Sequence, residues 1–227
     1  GRSSFWTKAT ILRAVLTQVF TDSPNLFGQI LEQVLEKICI LKHICLLQYV
    51  DDLLISGEAI EQVAVFSTHL LNYLQEKEYE LSKGKLQFVE PEVKYLGHLI
   101  SKDERRIGLK RVQGIMSLPL PKTKQELRKF WGLVGYCQLW IDSYALKTKP
   151  LYLKVTQEKP HPLFLTPDET HQGEELKHLL ITAPVLALPS LEKPFHLFIN
   201  ANKRVTFRVL TQEHGGHQQP VAFLSKV

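Results

Sequence analysis

Apolar residues recur at helical spacing from residue 24 to residue 38, where Phe27, Ile30, Leu31, Val34, Leu35 and Ile38 share one face. Ser23 can cap that segment and Pro24 suits a first turn, so the spacing predicts a helix. The pattern then changes period. Ile44-Cys45-Leu46-Leu47-Gln48 and Leu53-Leu54-Ile55-Ser56-Gly57 are short runs rich in apolar and β-branched residues on either side of Tyr49-Val50-Asp51-Asp52. They predict two antiparallel strands joined by a tight turn that carries the acids. A second amphipathic helix is expected from Glu58 to Glu76 through Ile60, Val63, Leu70, Leu71 and Leu74. Short strands around Leu86 to Val89 and Tyr95 to Ser101 follow, then a charged turn at Asp103 to Arg106. This order predicts a small antiparallel sheet backed by helices.

From Leu109 the pattern is again helical, with a break at Pro119 and Pro121. Thr123-Lys124-Gln125-Glu126 is a capping-box sequence that opens a helix reaching about Ile141. Leu127, Phe130, Val134 and Ile141 form its inner face, while Lys122, Lys124, Arg128 and Lys129 lie outside. Gly132 and Gly135 sit about one turn apart in the same helix, where a glycine costs roughly 1 kcal/mol. Close helix packing and close approach of a partner both account for them. Lys159-Pro160-His161-Pro162 marks a boundary, and Thr166-Pro167-Asp168-Glu169 opens a further capped helix to about Ile181. The tail alternates in strand fashion at Phe195 to Asn200, Thr206 to Thr211 and Val221 to Leu224. The fold class expected is α+β.

Composition narrows the class of partner. The chain has 227 residues, with 28 Lys and Arg against 23 Asp and Glu and a net charge of +5. Between Lys77 and Lys129 there are 13 basic and 7 acidic residues, so this block carries more than the whole chain's excess. Such a block is either a solvated face or a surface for a polyanion such as nucleic acid. Cys39, Cys45 and Cys137 lie in apolar surroundings without metal spacing, and they read as free buried thiols of an intracellular protein. The nine histidines show no ligand spacing either, so none is assigned to a metal. No apolar run approaches the length that spans a membrane. Met116 is the only methionine, so a piece of a longer chain or a processed product is expected.

Asp51 and Asp52 are the candidate chemistry. Asp-Asp is an ordinary turn sequence, usually facing solvent. Two carboxylates on a rigid hairpin are also what a divalent-metal phosphoryl-transfer site needs, since a cation must neutralise them. The string Leu47-Gln48-Tyr49-Val50-Asp51-Asp52-Leu53-Leu54 resembles the active-site motif of retroviral reverse transcriptases, in the gammaretroviral and endogenous retroviral spelling. Phe20-Thr21-Asp22-Ser23-Pro24-Asn25-Leu26-Phe27 resembles the segment that opens the helix before that hairpin. Val93-Lys94-Tyr95-Leu96-Gly97-His98-Leu99-Ile100 is similar to the primer-grip hairpin. Leu127-Arg128-Lys129-Phe130 and Gly135 to Ile141 look like the thumb. Leu180 to Leu186, Lys193-Pro194-Phe195 and Gln218 to Lys226 resemble the RNase H-like connection region. The order is collinear from about residue 12 to the end.

The resemblance implies a partial palm over 1–103, a thumb over 104–160 and the start of an RNase H-like domain over 161–227. It implies RNA-directed DNA polymerisation as the ancestral activity, with RNA/DNA primer–template and deoxynucleoside triphosphates as partners, within a Pol polyprotein. Asp51 and Asp52 are then catalytic carboxylates and ligands of Mg²⁺ or Mn²⁺, with Gln18, Tyr49 and Val50 at the nucleotide pocket. Leu96, Gly97 and His98 would hold the primer end, and Lys124, Arg128, Gly132 and Gly135 would lie along the nucleic acid. The family's third aspartate lies upstream and no residue here matches it, so the two-ion site is incomplete. The sheet is expected to show an unpaired edge where the missing strand belongs. Other departures are Val19 for a glycine, Asp142-Ser143 for Pro-Gly, Asn200 for aspartate and Arg208 for glycine. Two readings stand open: an enzyme completed by missing parts, or a non-catalytic endogenous retroviral relic that binds nucleic acid or has no activity.

Overall fold

Strand β1 (Phe5–Leu12) decides the layout of the first half of the chain. The computed structural model describes residues 4–12, 23–156, 165–202 and 205–226, in two compact units, Gly1–Lys102 and Asp103–Val227. In the first unit, α1 (Ser23–Leu35) leads into the hairpin of β2 (Ile44–Tyr49) and β3 (Asp52–Gly57), then α2 (Ile60–Glu76). The short β4 (Glu80–Leu81), β5 (Gln87–Glu90), β6 (Glu92–Tyr95) and β7 (His98–Ser101) complete it. Phe5-Trp6-Thr7-Lys8-Ala9-Thr10-Ile11-Leu12 is dense in aromatic and β-branched residues, which fit a pleated, buried surface. It runs antiparallel to β3 from Phe5↔Gly57 to Thr10↔Asp52. On its other side it pairs with β4 and β5. The strand order is therefore β2-β3-β1-β4, and the expectation of an open edge beside β3 is corrected: β1 covers it.

The hydrophobic core of this unit follows from the helical patterns. Phe27, Leu31 and Leu35 of α1 and Val63, Phe66, Leu70 and Leu74 of α2 cluster with Ile11, Leu53 and Ile55 of the strands. Two details differ from the sequence pattern. The strand expected over Tyr95 to Ser101 is broken by a tight turn at Leu96 (φ 48°) and Gly97 (φ 78°), so Tyr95↔His98 closes a hairpin of β6 and β7. Cys39 and Cys45 are exposed, and only Cys137 is buried, because the first two stand on the surface side of their segments.

In the second unit the residues expected as a charged turn form β8 (Glu104–Ile107), which pairs with β9 (Leu186–Ala187). The pairing partner is some 80 residues downstream, which no local pattern of charges reveals. Between them lie α3 (Leu109–Met116), α4 (Lys124–Tyr136), α5 (Tyr144–Thr156) and α6 (Pro167–Ile181). A meander of β10 (His196–Asn202), β11 (Val205–His214) and β12 (His217–Lys226) follows. Helix α4 ends sooner than its apolar pattern predicts, passing at Cys137 into a 3₁₀ turn over Gln138–Trp140. Its inner residues Leu127, Phe130 and Val134 still bury against Trp140, Ile141, Leu151, Leu176 and Leu180. Burial, and second the neighbouring Cys137 thiol, pushes the Tyr144 phenol up to about 12. The stretch Lys159-Pro160-His161-Pro162 lies outside the described residues.

Ser143, where the resembled family has glycine, takes φ 58° and offers its carbonyl to the amides of Leu146 and Lys147 as α5 begins. A non-glycine residue in that left-handed region is strained. Ser143→Gly is expected to raise unfolding stability by about 1 kcal/mol, the αL penalty less the glycine's greater unfolded freedom, readable as a higher urea midpoint. At the start of α6, Glu169 accepts from the Thr166 amide at 2.7 Å and pairs with Lys154 at 3.2 Å. Burial raises the Glu169 carboxyl, but the Thr166 backbone bond, Lys154 and the Thr166 hydroxyl outweigh it and hold it below the usual carboxylate range. Its contribution to stability is therefore present at neutral pH and lost as pH falls through the lowered folded value. Glu169→Gln should lower the thermal midpoint at pH 7 and close the gap to the parent protein in acid.

Candidate active-site hairpin

The carboxylates stand at the tip of the β2–β3 hairpin, whose register runs from Ile44↔Gly57 to Tyr49↔Asp52. Val50 and Asp51 are thus the two loop residues, and Asp52 is the first residue of β3. Val50 has φ 53°, a conformation that a β-branched side chain rarely adopts and that costs on the order of 1–3 kcal/mol. Several contacts hold the turn in that shape. The Ile11 amide donates to the Asp51 carbonyl at 2.8 Å. Gln48 Nε2 donates to the carbonyls of Gly28 at 2.8 Å and Val50 at 3.1 Å, tying the turn to α1. A Cβ at Gly28 would stand 3.6 Å from Val50 Cα, so the helix backbone lies against the turn. Tyr49 is 57% exposed and Val50 half-buried, so the face offered outward is that of Tyr49.

Asp52 is not open in the same way. Thr10 is its cross-strand partner, and Thr10 Oγ1 donates to Asp52 Oδ1 at 2.6 Å. Lys8, two residues earlier and so on the same face of β1, places Nζ 2.7 Å from the same oxygen. The Lys8 ammonium also donates to Thr10 Oγ1, closing a three-membered polar cluster. Lys8 is only 8% exposed, so its charge is buried against this partner. Tyr95, at the end of β6, feels the same carboxylate: burial first, then Asp52 and Tyr49, push its phenol up. The roles of Lys8 and Thr10 escaped the sequence reading, although the alternation of Lys8 and Thr10 between apolar residues was a strand signal.

A two-ion centre needs carboxylates free to bridge cations. Here the donors are Asp51 and Asp52, and one oxygen of Asp52 already accepts from an ammonium and a hydroxyl. Among the described residues no three His, Cys, Asp or Glu side chains converge on a point that could hold a metal. The described residues therefore do not assemble a site for the pair of divalent ions that the resemblance implies. Leu96, Gly97 and His98 lie together on the β6–β7 turn, within the same unit as the hairpin. Gln18 and Val19 lie outside the described residues.

The remaining candidates share α4. Lys124, Arg128, Gly132 and Gly135 are spaced by four, four and three residues, which sets them along one stripe away from the buried Leu127, Phe130 and Val134. Glu126 completes half of the expected capping box: its amide donates to Thr123 Oγ1 at 3.1 Å, while its carboxylate accepts from the Lys122 amide instead. The two glycines differ. A Cβ at Gly135 would meet Tyr144 Oη at 3.4 Å, which is a packing reason. A Cβ at Gly132 would meet nothing within 4 Å, so packing does not account for it.

Residues 6–100 match the family described as reverse transcriptase (RNA-dependent DNA polymerase), and residues 165–227 match the RNase H-like domain found in reverse transcriptase. The chain is 41% identical over 213 residues to the Gag-Pol polyprotein of avian reticuloendotheliosis virus and 38% identical over 215 residues to the Pol polyprotein of feline endogenous virus ECE1. Each match takes in 93% of this chain but only 18% and 20% of those relatives. By structure it is similar to a foamy viral protease-reverse transcriptase in complex with double-stranded DNA, with a TM-score of 0.86 and 22% identity, over 100% of this chain and 44% of that one. A second, in complex with an RNA/DNA hybrid, gives a TM-score of 0.83 over 98% and 33%. These two likenesses show the fold.

Gln48 is the clamp that sequence comparison of motifs leaves without a role. Gln48→Ala removes both of its bonds to backbone carbonyls and should cost about 1–2 kcal/mol, measured by urea unfolding. An unchanged midpoint would show that the strained turn holds without it.

Proposed function

We propose that this chain, a reverse-transcriptase-derived piece of retroviral Pol with reverse transcriptase and RNase H-like domains, binds primer–template nucleic acid and does not by itself transfer nucleotides. The observation that carries the second half is the Lys8–Asp52 ion pair, which engages one of only two carboxylates at the hairpin. Nothing is asked of the hairpin chemically: Asp51 and Asp52 keep the family's positions, Asp52 serves as the partner of Lys8, and no step is assigned to bound metal. Tyr49 and Val50 border the place where a nucleotide or primer end would lie, and Leu96, Gly97 and His98 would contact the primer strand.

Support for binding comes from α4 and from the relatives. The stripe offers the exposed Arg128 guanidinium and, at Gly132, a bare surface where the helix backbone can come close to a polyanion. An exposed mid-helix glycine with nothing packed on it costs about 1 kcal/mol, and a close approach offsets that cost in the complex. Solved proteins of the same fold are complexes with double-stranded DNA and RNA/DNA hybrid, which is the ligand class proposed here. No helix among the described residues is long and apolar enough to cross a membrane.

The test is titration of a fluorescent DNA primer annealed to RNA template, followed by anisotropy at several salt concentrations. Affinity should fall as salt rises, and Arg128→Gln should reduce the log–log slope by about one. Gly132→Ala should raise helix stability by about 1 kcal/mol while weakening binding, a combination that a purely structural glycine does not give. Salt-independent or absent binding overturns the proposal. Primer extension in Mg²⁺ or Mn²⁺ that disappears in Asp51→Asn would overturn its non-catalytic half.

A further inference from the structure

We infer that Lys8 is the resident cation of the carboxylate hairpin: its ammonium holds the position at Asp52 that a divalent ion would otherwise take, so that position 8 decides which cation the site accepts. The inference takes from the proposed function only that Asp52 stands on the polymerase-type hairpin; it does not depend on nucleic-acid binding.

Backbone register sets the geometry. Thr10 lies opposite Asp52 in the β1–β3 ladder, and Lys8, two residues back, projects to the same face. From there the four-carbon stem brings Nζ to 2.7 Å from Asp52 Oδ1, with Thr10 Oγ1 on the same oxygen at 2.6 Å. The Lys8 and Asp52 side chains are 10% and 21% exposed. A carboxylate oxygen that already accepts two hydrogen bonds, one from a cation, has little left for a metal. A divalent ion arriving there would also meet a positive charge in a low-dielectric setting, where like charges repel strongly. To admit the metal, the ammonium must leave a packed strand at the centre of the sheet. Conversely, the ammonium cannot be left alone, since a charge buried to this degree needs its partner.

Hairpin shape follows from the same pairing. The Ile11 amide bond to the Asp51 carbonyl extends the β1–β3 ladder into the turn, so the strand that carries Lys8 also holds the strained loop. In this chain one carboxylate of the pair, Asp52, has its counter-charge supplied from within by Lys8, so the fold needs no divalent ion there. Replacing the cation at position 8 by an acid would add a third carboxylate to Asp51 and Asp52 and reverse the preference.

Thermal unfolding in EDTA and in Mn²⁺, together with electron paramagnetic resonance of free Mn²⁺, tests this on the whole chain without nucleic acid. The parent protein should show the same midpoint in both conditions and no stoichiometric Mn²⁺ uptake. Lys8→Glu should have a lower midpoint in EDTA, recover several degrees in excess Mn²⁺ and take up Mn²⁺. If that variant does not fold, a double-mutant cycle decides. Asp52→Asn alone should lower the midpoint by leaving a buried ammonium unpaired, and Lys8→Gln with Asp52→Asn should recover much of that loss. Stoichiometric Mn²⁺ uptake by the parent protein, or strictly additive effects in the cycle, would overturn the inference. Loss of primer–template binding would sink the proposed function and leave these readouts untouched.

Discussion

A buried lysine paired with a carboxylate is the constraint around which the first unit is arranged. Lys8 lies in the central strand of the sheet, and at 8% exposure its charge must be met locally. Only one register of β1 against β3 meets it. A slip by one residue would turn Lys8 and Thr10 to the opposite face and Ala9 and Ile11 with them, exposing Ile11 from the core and stranding the ammonium. The ion pair and the apolar alternation therefore specify the same register, and agreement between levels of this kind selects one structure among competitors. The net energy of such a pair is small or unfavourable compared with an apolar pair, so its role is specificity rather than stability.

Strain is distributed around that constraint. Val50 occupies the left-handed region at the hairpin tip, and Leu96 does so beside Gly97 on the neighbouring turn. Neither residue would choose that backbone alone. The first is held by the Ile11 and Gln48 bonds, and the second by the two-residue connection of β6 and β7, whose geometry requires positive φ at both loop positions. Tyr95, on the strand leading into the second turn, senses the Asp52 carboxylate of the first, so the two hairpins share one electrostatic environment. The contacts that fix the shape of both turns are structural ones, made within the chain.

Helix α4 divides its surface differently. Its buried face satisfies the core of the second unit through Leu127, Phe130 and Val134, while Lys124, Arg128, Gly132 and Gly135 line a separate stripe of the same helix. Gly135 is explained by Tyr144, whereas nothing among the described residues packs on Gly132. At Ser143 the reverse holds: a serine takes φ 58°, a backbone conformation that favours glycine. Of the contacts described, Lys8 beside Asp52 bears most on the hairpin, since it sets the charge balance at that carboxylate.

The sequence by itself determined the local elements and the family. The helices α1, α2 and α6 follow from apolar spacing and from the Thr166–Glu169 cap, the hairpin from two short apolar runs around Tyr49 to Asp52, and the membership from that string and the collinear segments. The signals for each helix and for the hairpin lie within about 20 residues, the range over which periodicity and capping act, whereas the membership rests on the order of motifs along the whole chain. Only the tertiary structure decided what stands next to Asp52. Thr10 and Asp52 are 42 residues apart, and strand pairing over that distance depends on which edges meet in the folded sheet rather than on any local pattern. The same reason made Glu104–Ile107 a strand through its pairing with Leu186–Ala187, and covered with β1 the edge of β3 that was expected to lie open.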